Sequence, residues 1–264
     1  MATHFAEQLT APEFARFAGP QTIAVLPVAA IEPHGPHLPL STDCDIAKGH
    51  LGRLGDYLSP ERDLLVLPLQ AIGHSLEHSG FAGVFTHGAE TLLTAWSDVV
   101  GAAVEAGVRK LIVVSSHGGN SEVVALLATR LRAQRDMLAV SAARLRFGQP
   151  EGLFADNELA YGIHGGDIET SLMLHYWPDA VRQQHLADFD SAASRWDAET
   201  RWLKMHGRTR PGWLSRDLNP QGAAGNALLA SAERARRAPS MRCGALPNWW
   251  MKLAPLIWAG WSRI

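Results

Sequence analysis

Leu111-Ile-Val-Val-Ser-Ser-His-Gly-Gly-Asn120 decides the fold class. Its first half is a short, unbroken apolar run with β-branched residues, the pattern of a strand buried on both faces. Its second half is a polar turn whose paired glycines let the backbone approach a bound group closely. A helical stretch follows, Val123-Val-Ala-Leu-Leu-Ala-Thr-Arg-Leu-Arg132, which Asn120 or Ser121 can cap. Working outward, similar apolar runs at residues 22–30, 64–69 and 137–142 predict three more strands. Helices are predicted over 45–57 and 91–105, the latter ended by Gly107. Strands alternating with helices imply an α/β protein with a parallel sheet covered on both faces. Beyond Gln149 the alternation loosens: residues 161–176 contain a helix, and 186–210 read as polar and helical. No internal repeat or low-complexity linker divides the 264 residues, which points to one domain.

Bulk composition is that of an ordinary globular protein, 47% hydrophobic and 19% charged. A net charge of −2 gives no reason to expect a nucleic-acid or anionic-membrane partner. Two cysteines, Cys44 and Cys243, exclude a disulfide scaffold and suit a reducing, cytoplasmic setting. The first residues lack the basic start and apolar stretch of a signal peptide, and no apolar run is long enough to span a bilayer. The tryptophan-rich segment 246–261 reads as cover for a subunit interface or a site entrance. A membrane-surface helix is the weaker reading, because Pro255 and the scarcity of cations oppose it.

Three segments concentrate groups able to bind a divalent metal. The densest, Glu32-Pro-His34-Gly-Pro-His37-Leu-Pro-Leu-Ser-Thr-Asp43, carries four of them on a loop stiffened by three prolines. It follows the first predicted strand, at the sheet edge where open α/β proteins bind ligands. The second is Ser116-His117-Gly-Gly-Asn120, on the same edge. The third is His164-Gly-Gly-Asp167-Ile-Glu169-Thr-Ser171, whose helix turns Ile168, Leu172 and Met173 to an apolar side. A lone histidine after a strand is as readily a hydrogen-bonded core residue as a ligand, so the weight lies in all three segments meeting at one edge. Glu122 reads as compensation of a helix dipole. Cys44 reads as a small buried residue rather than a thiolate ligand or nucleophile. His50 and His175 read as helix-face residues. His74, Glu77 and His78 form a further polar loop able to line a pocket, where Ser75 can touch substrate.

Together, Glu32-x-His34-Gly-Pro-His37-Leu-Pro-Leu-x-Thr-Asp43, Ser116-His-Gly-Gly-Asn120 and His164-Gly-Gly-x-x-Glu169-Thr-Ser171 resemble the three signatures of the creatininase family of metal-dependent amidohydrolases. The resemblance spans about residues 22–177 and continues weakly through Asn219-Pro-Gln-Gly222. It implies a three-layer α/β/α sandwich with a mostly parallel sheet, and a homo-oligomer, with a hexamer favoured. It also implies two divalent ions per chain, zinc or manganese, with ferrous iron an alternative. Carried over by residue, Glu32 and His117 hold one ion, His34 and Glu169 hold the other, and Asp43 bridges them. Two cations sharing one water lower its pKa toward neutrality and make hydroxide available. His164, with a natural pKa near working pH, is the expected general acid/base. His37 orients a ligand by donating its ring N–H to a carboxylate, direct metal contact being the lesser alternative.

The chain departs from creatininase proper. Gly118 and Gly119 stand where that enzyme has an aromatic residue and a glutamate, and Ala160-Tyr161 stands where it has Trp-Asp. Glu169 is therefore the available fifth ligand, and Gly118 and Tyr161 become candidate substrate neighbours. Relatives with the Gly-Gly version include formamide deformylases and a peptidase trimming the mycofactocin precursor. The expected substrate is a small cyclic or formyl amide. The alternatives are a short peptide tail, and a silent oligomeric protein that binds a metabolite.

Overall fold

The structure is a computed structural model and describes residues 3–54, 64–143, 149–206 and 209–237. The tryptophan-rich segment lies outside them. Five parallel strands form the sheet: β1 (Thr3–Phe5), β2 (Ile23–Val28), β3 (Leu64–Val66), β4 (Lys110–Ser115) and β5 (Leu138–Ala143), in the order β1-β3-β2-β4-β5. The four predicted strands are present, two of them trimmed at their ends and two shifted at their ends by a single residue, and β1 is an edge strand that its three residues did not betray. The helices of the βα units are α2 (Thr42–Leu51), α3 (Ala89–Glu105) and α4 (Ser121–Arg135); α1 (Ala11–Phe17) links β1 to β2.

Strand periodicity explains the layers. Ala24, Leu26 and Val28 of β2 face Leu92, Trp96 and Val100 of α3 and Val123, Leu127 and Leu131 of α4 in one buried cluster. Ile23 and Val25 face the other way, with Leu64, Val66, Ile112 and the α2 end, Leu51 and Leu54. Both faces are covered, which makes the fold a three-layer α/β/α sandwich. Trp96 is 1% exposed. Beyond β5 lie α5 (Asp156–Tyr161), α6 (Asp167–Tyr176), a two-stranded ribbon of β6 (Asp188–Phe189) and β7 (Gly225–Asn226), α7 (Ala192–Glu199), α8 (Ser215–Leu218) and α9 (Ala232–Arg237). The expected helix over 186–210 is a correction: among the described residues there only α7 is helical, because a polar stretch without an apolar stripe gives a helix nothing to bury. No helix among the described residues is long and apolar enough to cross a membrane.

The topology builds the site. The chain leaves β2 for β3 on one side and then reaches β4 on the other, so the carboxyl end of β2 is the switch point. Register sets Val28 level with Ser115. The loops after β2, β3 and β4 therefore open side by side.

Candidate metal centre

Two corrections concern where the ligand-type residues sit. Asp43 is not on the loop; it occupies the first turn of α2, which begins three residues earlier than predicted. The Thr42 hydroxyl donates to the Pro39 carbonyl (2.6 Å), and a carboxylate is favoured at a helix start. The third segment, expected after a strand like the other two, follows α5 instead; His164 Nε2 reaches Pro33 O on the first loop, and the His164 backbone pairs antiparallel with Ala224.

The structure brings together five of the residues singled out, with His164 beside them. Glu32, Asp43 and His117 present ligand atoms within 4.8 Å of one another, and so do His34, Asp43 and Glu169. Asp43 belongs to both groups and turns a different oxygen to each: Oδ1 lies 3.9 Å from His34 Nε2, and Oδ2 lies 3.5 Å from His117 Nδ1. His117 Nδ1 is 3.0 Å from Glu32 Oε1, and His34 Nε2 is 3.7 Å from Glu169 Oε2. His164 forms a third group with Glu32 and His34, its Nδ1 3.9 Å from Glu32 Oε1.

The outer nitrogen of each ring is anchored on a backbone carbonyl. His34 Nδ1 donates to Glu32 O (3.1 Å), His117 Nε2 to His74 O (2.8 Å) and His164 Nε2 to Pro33 O (2.7 Å). A carbonyl only accepts, so each anchored nitrogen carries a proton and the other ring nitrogen faces the carboxylates, able to offer a lone pair to a cation between them. This is the arrangement that metal-binding histidines adopt. The residues also fit a cation on a separate count. Both oxygens of Glu32 and Nε2 of His34 are buried without a well-formed hydrogen bond among the described residues, a costly state that a cation relieves.

Electrostatics agree. Burial pushes the Glu32 carboxyl up, yet His117 and His78 outweigh it and hold it well below its usual range. Burial pulls His117 down, yet Glu32, Glu77 and Asp43 raise it well above the usual histidine value. A proton on His117 thus answers the converging carboxylates where a metal ion otherwise would. Burial lowers His34, and burial with the neighbouring His34 and His78 rings holds His164 well below its ordinary value.

Other expectations fare differently. His37 does not reach a carboxylate; its Nε2 lies 2.9 Å from the Gly165 carbonyl and 3.0 Å from Thr170 Oγ1. It acts one step removed, since the same Gly165 donates its N–H to Glu169 Oε2 (2.9 Å). Asn120 makes no side-chain cap; its amide joins Ala29 O, Ser115 Oγ and the His74 N–H, which ties three site loops together. Ser75 is buried, and Tyr161 packs against an apolar cluster with Ala193 and Met205. Cys44 donates to backbone carbonyls, and burial pushes its thiol up to about 12, which disqualifies it as a nucleophile at neutral pH. Glu122 pairs with Arg210 on the surface. Sequence reading underrated Glu77 and His78, noted only as pocket lining: His78 Nε2 is 3.2 Å from Glu32 Oε1, and Glu77 Oε1 is 3.3 Å from His117 Nε2.

Glu77 accounts for one of the two glycines of the departure, Gly119. A Cβ on Gly119 would lie 2.1 Å from Glu77 Oε1 and 2.5 Å from both His117 Nε2 and His74 O, whereas one on Gly118 meets nothing within 4 Å. The Glu77 chain can swing aside, but the His74 carbonyl is backbone and anchors His117. Gly119→Ala should therefore cost about 1–3 kcal/mol of stability and weaken binding of one metal ion roughly 10–100-fold. Gly118→Ala should leave both unchanged, as melting curves and metal titration of the two variants would show.

Comparison with known proteins identifies the family. A family profile described as "Creatininase: Creatinine amidohydrolase" matches residues 7–242. The mycofactocin precursor peptide peptidase of Mycolicibacterium smegmatis is 33% identical over 170 residues, 62% of this chain and 62% of that protein's length. That of Mycobacterium ulcerans is 29% identical over 219 residues, 81% of this chain and 78% of its own. Creatinine amidohydrolase of Pseudomonas putida is 28% identical over 205 residues, covering 71% and 77%. Among solved structures, one titled "Creatininase Mn" superposes with a TM-score of 0.70 at 22% identity, over 96% of this chain and 98% of its own, which shows the shared fold. With the profile spanning most of the chain, this protein belongs to the creatininase family of hydrolases.

Proposed function

We propose that this protein is a dinuclear metal-dependent hydrolase that cleaves a C–N amide bond at or near the end of a small substrate. The observation that carries this reading is the Asp43 carboxylate, with one oxygen toward His34 and Glu169 and the other toward Glu32 and His117. Glu32, Asp43 and His117 would hold one divalent ion, and His34, Asp43 and Glu169 the other. The donor set, imidazole with carboxylate, suits zinc or manganese. Such ions would supply Lewis-acid polarisation of an amide carbonyl and a nucleophile ionised at neutral pH.

The chain's own residues do the rest. His164 Nδ1, its lone pair set by the Nε2 anchor on Pro33, is placed to take a proton from attacking water and return it to the leaving nitrogen. Neutralised by that proton, the nitrogen departs as an amine. Glu32, His34 and Asp43 are 0–1% exposed, so only a slender group reaches them, such as a formyl, a lactam or a chain end.

A short peptide is the second reading, favoured because the relatives at 33% and 29% identity carry peptidase names. A panel of formamides, lactams and short peptides, assayed with manganese- and zinc-loaded protein, separates the two. Turnover confined to non-peptide amides supports the first, and turnover confined to peptide ends supports the second. Loaded protein that hydrolyses none of them overturns both.

A further inference from the structure

Glu158, on α5, is a buried carboxylate that neither the sequence motifs nor the metal centre uses; it is 4% exposed. Its Oε1 accepts from the Ile168 N–H (3.2 Å), in the first turn of α6, and its Oε2 from the Asn226 N–H (3.1 Å), in β7. Three glycines wall it in. A Cβ on Gly162 would lie 2.1 Å from its carboxyl group, one on Gly166 2.4 Å from Oε1, and one on Gly225 2.8 Å from Oε2. Any side chain at these positions would drive into the carboxylate, so α5, the turn before α6 and β7 close around it backbone to backbone. Burying a carboxyl group is costly, and two N–H donors return only part of the cost. Burial accordingly pushes its pKa up to about 7, against the pull of those donors.

The segments it joins lead into the metal centre: the α6 start carries Glu169, and the chain before β7 holds the His164 turn. Ile168 adjoins Glu169. The chain just before Asn226 pairs with His164, whose N–H donates to Ala224 O (3.2 Å) and whose carbonyl accepts from the Ala224 N–H (2.7 Å). Gly165, between them, donates to Glu169 Oε2 (2.9 Å). On the far side of α6, Asp167 is held by Arg234 and Ser171, so the first turn is fixed from two directions.

We propose that Glu158 is a positioning residue: by binding the α6 start and β7 at once, it fixes Glu169 and the His164 turn in the geometry that receives the second divalent ion. This rests on the dinuclear reading above, but its first test does not need a metal. In metal-stripped protein, amide hydrogen exchange of peptides covering 162–170 should run at least tenfold faster in Glu158→Ala than in wild type, with peptides over β4 unchanged. Manganese titration by calorimetry should then show one of the two ions bound at least tenfold more weakly and the other within threefold. Glu158→Gln keeps the volume but gives up one acceptor oxygen, so it should shift both readouts in the same direction by less, and it carries the test if the alanine variant does not fold. Unchanged exchange at 162–170 and unchanged manganese binding in Glu158→Ala, even with a lowered melting temperature, would reduce Glu158 to packing and overturn the proposal. If wild type takes up no divalent ion while exchange still responds, the metal reading fails and the positioning of the turn stands.

Discussion

Asp43→Ala should leave the purified protein with at most one divalent ion per chain and lower turnover by roughly 10³-fold or more. A pair of metal ions lends a hydrolysis several kcal/mol of charge stabilisation, and each 1.36 kcal/mol is about a factor of ten in rate. Asp43 is the only residue common to both ligand groups among the described residues, so its loss removes a donor from each group at once. The fold should survive. Asp43 is one of four carboxylates, with Glu32, Glu77 and Glu169, crowded around His34 and His117, and removing one relieves like-charge repulsion in the metal-free state. Metal-free Asp43→Ala should therefore melt no lower than metal-free wild type, while the stabilisation that wild type gains from added manganese or zinc is largely lost. Elemental analysis and melting curves with and without metal read both effects. Two ions per chain and full turnover in the variant would place the bridge elsewhere.

The layers of the fold were legible because unbroken apolar strands and striped helices admit few other arrangements. The ligand set was legible because histidine and carboxylate on Gly- and Pro-stiffened segments have few other uses. What escaped reading was whatever long-range contact decides. From sequence Asp43 reads as a loop residue because the helix signal after it is weak, and the start of α2 is set by hydrogen bonds from Thr42 to Pro39 and Ser41 to Asp45. His37 was expected to donate to a carboxylate, but the first loop and the α6 start, 128 residues away, meet so that a backbone carbonyl faces it instead. Glu77 reads only as pocket lining, and Glu158 gives no local signal. Both fill space that glycines elsewhere in the chain leave empty, at Gly119 in one case and at Gly162, Gly166 and the distant Gly225 in the other. A sequence prints the glycine but not the side chain that occupies its place.

His164 can serve this site in two ways, and one substitution separates them. Its Nδ1 lies near enough to Glu32 and His34 to form a ligand group, so it could be a further metal donor. Three observations favour a proton carrier. Its side chain is 14% exposed, more than that of Glu32, His34, Asp43, His117 or Glu169, which puts it on the side from which substrate arrives. The two ligand groups built on Asp43 are complete without it. Burial and the adjacent His34 and His78 rings keep it neutral at working pH, with Nε2–H fixed on Pro33 and Nδ1 free to take a proton. His164→Asn should thus retain both ions and a KM near that of wild type, while kcat falls roughly 10²–10⁴-fold, the usual worth of a positioned acid/base. Elemental analysis with steady-state kinetics on a substrate from the amide and peptide panel reads the result. Loss of an ion from His164→Asn would instead make it a ligand and leave the proton to be carried by another group. His78 is then the nearest candidate, its ring tilted 42° to that of His164 with the centroids 4.4 Å apart, and its Nε2 already 3.2 Å from Glu32.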